Sequence, residues 1–155
     1  MKRRAVICDI DNTILNIMHR WHLLKGADTD WNAFLDPDLI MKDTPMQDTI
    51  DIINCLSLKY PILFVTGRNA GIREITAKQI EMHTNLLNGY ELIMRPDEDQ
   101  VTADSVIKTN LYKEYVEPYY DVICAIDDKL GNIELWRSFG ITAYHCGELG
   151  TGEGF

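Results

Sequence analysis

Five short apolar runs, separated by longer stretches in which apolar residues recur every three or four positions, set the pattern of this chain. The runs are "RRAVICD" from Arg3, "PILFVTG" from Pro61, "YELIMR" from Tyr90, "YDVICAID" from Tyr120 and "GITAYHC" from Gly140. Each is rich in Val and Ile and bounded by turn residues, so each is predicted to be a strand.

The intervening stretches predict helices. In "TPMQDTIDIINCLSLKY", Thr44 is placed as a cap, Pro45 at the first helical position and Gln47 to close a capping box, with Ile50, Ile53 and Leu56 or Ser57 along one stripe. A second helix is expected from about Gly71 to Leu87, stopping toward Asn88-Gly89. A third runs from near Thr102 to Val116 and is cut by Pro118, with Val106, Ile107, Asn110, Leu111 and Tyr115 at helical spacing. The fourth, "KLGNIELWRSFG", carries Ile133, Leu135, Trp136 and Phe139 before Gly140. Strand and helix alternate, which predicts an α/β fold: a Rossmann-like, mostly parallel sheet with helices on both faces.

Residues 16–43 break the alternation, although Asp30 is placed to cap a short helix over Trp31 to Leu35. They are expected to form a small lid or flap inserted after the first strand of a single domain spanning 1–155. The glycine-rich tail "GELGTGEGF" is expected to be irregular.

Composition narrows the class. With 155 residues, 46% of them hydrophobic and 25% charged, the chain is expected to bury one core. No run approaches the roughly 18 apolar residues of a membrane span, and the start "MKRRAVICDIDN" ends its short apolar run in acids, so a cytoplasmic protein is expected. Cys8, Cys55, Cys124 and Cys146 form no CxxC pair and are expected to be reduced, buried thiols. A net charge of −9 argues against a broad basic surface that grips nucleic acid by its phosphates. It leaves room for a local basic pocket around one phosphate.

Candidate chemistry begins in "AVICDIDNTIL", where Asp9 and Asp11 interrupt an apolar run. A buried carboxylate without a partner costs several kcal/mol or neutralises, so these acids need water, a cation or a task. In a parallel sheet, ligands bind outside the carboxyl ends of the strands. Asp9 and Asp11 end the first predicted strand, Thr66, Gly67 and Arg68 the second, and Asp127 with Asp128 the one starting at Tyr120. Carboxylates gathered in one crevice repel unless a cation joins them. Oxygen-only ligands suit Mg2+, which keeps waters and takes one or two carboxylates plus a phosphate. With Thr66 and Lys108 on the remaining phosphate oxygens, the set predicts a magnesium-dependent phosphoryl-transfer site.

The ordered motifs "DIDNT", "VTGR", Lys108 and "AIDD" resemble those of the haloacid dehalogenase (HAD) superfamily of phosphatases. Within it, the chain is most similar to the 3′-phosphatase domains of bacteriophage polynucleotide kinase-phosphatases, closest from Val106 through "YKEYVEPYYDVICAIDDKLGNIELWRSFGI". The resemblance implies that Asp9 is the nucleophile, forming an aspartyl-phosphate, and that Asp11 is the acid and then the base. It implies phosphate binding by Thr66 and Lys108, magnesium held by Asp9, Asp11, Asp127 and Asp128, and substrate contacts from Arg20, Arg68 and Lys129. It also implies nucleic acid repair, with a phosphorylated nucleic acid end or a nucleotide as substrate. Asn12 stands where the family usually has glycine, and Lys129 where the phage enzymes carry arginine. No GxxxxGK[ST] phosphate loop occurs, so a free-standing phosphatase module is expected.

Two other functions compete. One is a 5′(3′)-nucleotidase or a phosphatase for another small ester. The other is a non-enzymatic, receiver-like phospho-acceptor module, against which stands the second acid two residues after the first. Trp21 and Trp31 in the insertion are candidates to stack on a base, though Phe34 and Leu35 beside Trp31 predict core packing for that ring. His19 and His22 lack a third ligand and are expected on the surface.

Overall fold

The computed structural model describes residues 1–147, and most of the predicted irregular tail lies outside the described residues. In chain order the elements are β1 (Arg3–Cys8), β2 (Leu15–Asn16), α1 (Trp31–Phe34), α2 (Pro37–Ile40), β3 (Thr44–Pro45), α3 (Gln47–Ser57) and β4 (Ile62–Asn69). There follow α4 (Arg73–His83), β5 (Tyr90–Arg95), α5 (Asp104–Leu111), β6 (Tyr120–Asp127), α6 (Leu130–Ser138) and β7 (Ala143–His145). Each of the five predicted runs forms a strand of one sheet in the order β5-β4-β1-β6-β7, and all neighbours are parallel.

Alternation along β1 divides the core. Ala5 and Ile7 pack with Ile107 and Leu111 of α5 and Ile133 and Trp136 of α6. Val6 and Cys8 pack with Ile50 and Ile53 of α3 and Ile80 of α4. The strand is thus buried on both faces, as a parallel sheet between helix layers requires, and each fully buried aliphatic side chain contributes about 1.5–3 kcal/mol. From β1 the chain steps outward through β4 and β5, then returns to the other side of β1 for β6 and β7. That reversal opens a crevice above β1, between the ends of β4 and β6.

Several local expectations change. Thr44 and Pro45 do not start a helix, because they pair antiparallel with Asn16 and Leu15 and pinch the base of the insertion. The helix starts at Gln47, whose amide reaches forward to Asp51 at 2.7 Å instead of closing a capping box. The second helix ends at His83, because Thr84 is already extended. Gly89, at φ 77°, serves the turn into β5 instead of stopping that helix. The third continues past Leu111 as a π-helical turn, Tyr112–Val116. Cys55 is exposed, against the expectation of four buried thiols. The insertion consists of short pieces, and Asp30 caps α1 as predicted by accepting from the Ala33 amide at 3.0 Å. Among the described residues no helix is long and apolar enough to cross a membrane.

Candidate active site

The first acid is delivered by the sheet itself. The Asp9 amide donates to the Ile126 carbonyl at 3.0 Å, extending the β1–β6 ladder by one rung, and the residue is 5% exposed. The chain then turns sharply: the amides of Thr13, Ile14 and Leu15 all donate to the Ile10 carbonyl. Asn12 takes φ 56°, a left-handed conformation that asparagine tolerates better than most residues. This turn separates the partners of the two acids. Both line one cavity, yet Asp9 faces Lys108 and Asp11 faces Arg68.

Lys108, projected from α5 and 1% exposed, has its ammonium 2.8 Å from Asp127, 3.1 Å from Asp9 and 3.7 Å from Asp104. Asp127 is fully engaged, receiving Lys108 and the Trp136 indole N–H on Oδ2, and the Asn132 amide and Lys129 backbone N–H on Oδ1. Asp128 differs, for its buried Oδ1 has no hydrogen-bond partner. Carboxylate oxygens of Asp9, Asp127 and Asp128 lie within 4.8 Å of one another. An orphaned buried oxygen inside an all-oxygen cluster fits a hard divalent cation.

The electrostatics agree with that fit. Burial lifts the Asp9 carboxyl well above its ordinary range; Lys108 opposes this, and Asp127 and Asp128 add to it. Burial and the neighbouring Asp127 push Asp128 up to about 6. For Lys108, burial works against the charge, but Asp104, Asp127 and Asp9 prevail and hold the ammonium protonated. One lysine is therefore set among more acids than it can neutralise.

The opposite wall carries a network centred on Asp43, which the sequence reading did not single out. Its fully buried carboxylate accepts from Nε and Nη2 of Arg20 at 2.8 and 2.9 Å, from Nη2 of Arg68 at 3.0 Å, and lies 2.9 Å from Nε2 of His19. Arg68 also donates to Asp11 at 2.7 and 2.9 Å and to Gln79 at 2.7 Å. Burial alone would raise the Asp11 carboxyl, but Arg68, then Arg20 and Lys129, hold it below its ordinary value. Arg20 is 1% exposed, 3.6 Å from Asp11, and stacks over the Phe34 ring at 4.4 Å.

Thr66 is buried in the second half of β4, where its hydroxyl accepts from the Arg68 amide at 3.1 Å. Gly67 is required beside it, because a Cβ there would collide with the Asp104 carboxylate. Lys129 reaches Asp104 at 3.4 Å. Asp104 was legible only as the acid four residues before Lys108, the spacing of one helical turn. Asp43 ends the insertion without any local motif and had no signal. His19 and His22 are exposed, as expected, and Nε2 of His19 reaches the edge of this network at Asp43. Trp31, expected in the core, is 41% exposed and lines the cavity.

Comparison with known proteins places this geometry. Residues 3–149 match the family model described as the polynucleotide kinase PNKP phosphatase domain. A protein of Autographa californica nuclear polyhedrosis virus, described as a bifunctional polynucleotide kinase/RNA ligase, is 28% identical over 141 residues, covering 89% of this chain and 18% of that protein. The fold is shared with a chain of the Pnkp1/Rnl/Hen1 RNA repair complex, at TM-score 0.72 and 24% identity over 94% of this chain and 42% of that one. It is also shared with a haloacid dehalogenase-like hydrolase of Streptococcus pneumoniae, at TM-score 0.63 and 15% identity over 92% of this chain and 84% of that one. The chain thus spans less than half of the viral relative and of the RNA repair chain. Its matched family and its fold agree with the motifs at the strand ends: the chain belongs to the polynucleotide kinase PNKP phosphatase domain family and is a HAD-type phosphatase.

Proposed function

We propose that the protein is a magnesium-dependent 3′-phosphatase of polynucleotide ends or nucleotides, working through an aspartyl-phosphate on Asp9. The observation that carries this reading is the junction of Asp9 with Lys108, Thr66 and the orphaned Asp128 oxygen at the end of β1. The matched family and the viral relative, described as a polynucleotide kinase/RNA ligase, support a nucleic acid end as substrate.

Asp9 attacks phosphorus, and the bond from phosphorus to the 3′ oxygen breaks as Asp11 gives that oxygen a proton. Water then attacks the aspartyl-phosphate, Asp11 takes the water proton, and inorganic phosphate leaves with Asp9 regenerated. Arg68 favours the ionised Asp11 that the second step requires, and the proton that Asp11 gives in the first step is one it takes up from the incoming monoanionic phosphate ester. Lys108 and Thr66 hold phosphoryl oxygens, and Arg20, Arg68 and Lys129 border the substrate. Asp9, Asp128 and the main chain at Asp11 would hold magnesium directly, with Asp127 orienting Lys108. When bound, that ion offsets the charge of the acids and of the phosphoryl group. Residues 16–43 serve as a flap over the crevice of a single domain.

The test compares phosphate release from a 3′-phosphorylated oligonucleotide, 3′- and 5′-nucleoside monophosphates and a sugar phosphate, with magnesium and with EDTA. Release from the 3′ substrates, abolished by EDTA and by Asp9→Asn in a folded protein, is expected. Turnover of 5′-nucleotides alone overturns the substrate, and an active Asp9→Asn variant overturns the mechanism.

A further inference from the structure

The cavity of about 280 Å3 that Asp9 and Asp11 line extends beside them into a mostly apolar chamber. One wall comes from the insertion through Trp21, Leu24, Trp31 and Leu35, and the other from the loop before α5 through Gln100 and Val101. None of these six side chains has a part in the phosphoryl chemistry, and two observations say that the chamber is built.

Trp31 is fixed although it is 41% exposed: its ring meets Phe34 edge-on, with centroids 6.0 Å apart at 86°. Phe34 is in turn covered by the Arg20 guanidinium that Asp43 holds. The position of the indole is thus set by the same buried network that sets Asp11. Opposite, Val101 is 95% exposed, an apolar side chain left in water at the cavity mouth. Its loop is held by the Asp99 carboxylate, which accepts from the Val101 and Thr102 amides at 3.2 and 3.0 Å.

The charge balance selects the occupant. The three arginines at the cavity, Arg20, Arg68 and Arg95, already bond to protein carboxylates or carbonyls, and the chain carries a net charge of −9. Little affinity for a polyanion can then come from neutralising its phosphates. Stacking is the sequence-tolerant alternative, and a chamber that is only part of a cavity of about 280 Å3, below the roughly 300 Å3 of a small ligand pocket, takes one base, not a run of them.

We propose that this chamber is a subsite for the base of the nucleotide that bears the scissile 3′-phosphate, stacked on Trp31 and Trp21 and bounded by Val101. The Gln100 amide, on the rim, offers both a donor and an acceptor to the base edge. The subsite rests on the 3′-phosphatase reading and adds its selectivity: the enzyme requires a base next to the phosphate it removes, and prefers intact nucleotide ends to baseless sugar-phosphate remnants.

The experiment compares kcat/KM for two oligonucleotides with 3′-phosphate ends, identical except that one ends in a normal nucleotide and the other in an abasic sugar. The nucleotide end is expected to be favoured about tenfold or more, the value of one stacking contact. Trp31→Ala brings the ratio toward one, and Trp31→Phe retains part of it. Val101→Gly, at a residue too exposed to affect folding, shifts the ratio in the same direction, so the test survives an unstable Trp31→Ala protein. Equal use of both ends by the wild type, or an undiminished ratio in folded Trp31→Ala, overturns the subsite and leaves the 3′-phosphatase reading intact. Failure to hydrolyse either end, with turnover of 5′-nucleotides, overturns that reading and the subsite with it.

Discussion

Arg68 clamps Asp11: its Nη2 lies 2.7 Å from Oδ1 of the carboxylate, and its Nε lies 2.9 Å from the same oxygen. The contact joins a strand-end motif to an acid two residues past the nucleophile, and it holds that acid in one place and favours its ionised form.

Replacing the planar fork by a point charge tests the clamp. Arg68→Lys keeps the charge but loses the paired donors to Asp11 and the bonds to Asp43 and Gln79. Turnover is expected to fall roughly ten- to hundredfold, the value of charge-assisted hydrogen bonds at about 1.5–3 kcal/mol. Steady-state rates on the best 3′-phosphate substrate, with a thermal melt to show folding, check this; wild-type kcat would remove the clamp from catalysis.

Asp128 links metal to pH. Its carboxyl is raised to about 6 in the folded protein from an ordinary 3.8, so the native state binds the proton more tightly than the unfolded state does. Its contribution to metal-free stability is therefore present below pH 4 and lost as pH rises through about 6, on the order of 3 kcal/mol in all. Magnesium needs the ionised form, so its affinity should rise over that window and level off above it. At neutral pH, magnesium at a hundred times its Kd should raise Tm by roughly 5–10 °C. Calorimetry of wild type and Asp128→Asn at pH 5 and 7.5 decides: an equal magnesium shift in the variant would show that Asp128 is not a ligand.

Asp104 has the opposite sign. Burial would raise its carboxyl, but Lys108, then Lys129 and Asn132, hold it far below the ordinary carboxylate range. The stability this supplies is complete above the unfolded value near 4 and disappears as pH falls toward the folded one. Wild type should lose stability below pH 4, and Asp104→Asn should show a shallower acid limb. Urea unfolding at pH 3 and 6 measures both, and parallel pH profiles would contradict the assignment.

Asp43 is the hub of the second wall. Asp43→Ala leaves the Arg20 and Arg68 guanidinia buried without their shared carboxylate, which should cost about 3–5 kcal/mol. The urea midpoint at neutral pH reports the loss, and a change below 1 kcal/mol would mean that the two arginines find other partners.

Much of the architecture was open to a one-dimensional reading. Buried parallel strands need unbroken apolar runs, and the helices covering them need three-to-four-residue stripes, so both are written locally. The polar residues of the site were legible for the same reason, because Asp9, Thr66 and Asp127 sit toward the ends of those runs. Helix boundaries were less legible. Thr44 and Pro45 have the residue types of a helix start, and a distant strand partner, Leu15–Asn16, claims their backbone.

By itself, then, the sequence determined the α/β sheet, its helices and the row of polar groups along its carboxyl edge, since each follows from short-range spacing. The tertiary structure alone decided which charges meet: that Asp43 unites Arg20 with Arg68, that Asp127 is saturated while Asp128 keeps an orphaned oxygen, and that Trp31 walls a chamber instead of filling a core. Those contacts join residues from separate elements, and no local pattern encodes a distance between elements that only the packed sheet brings together.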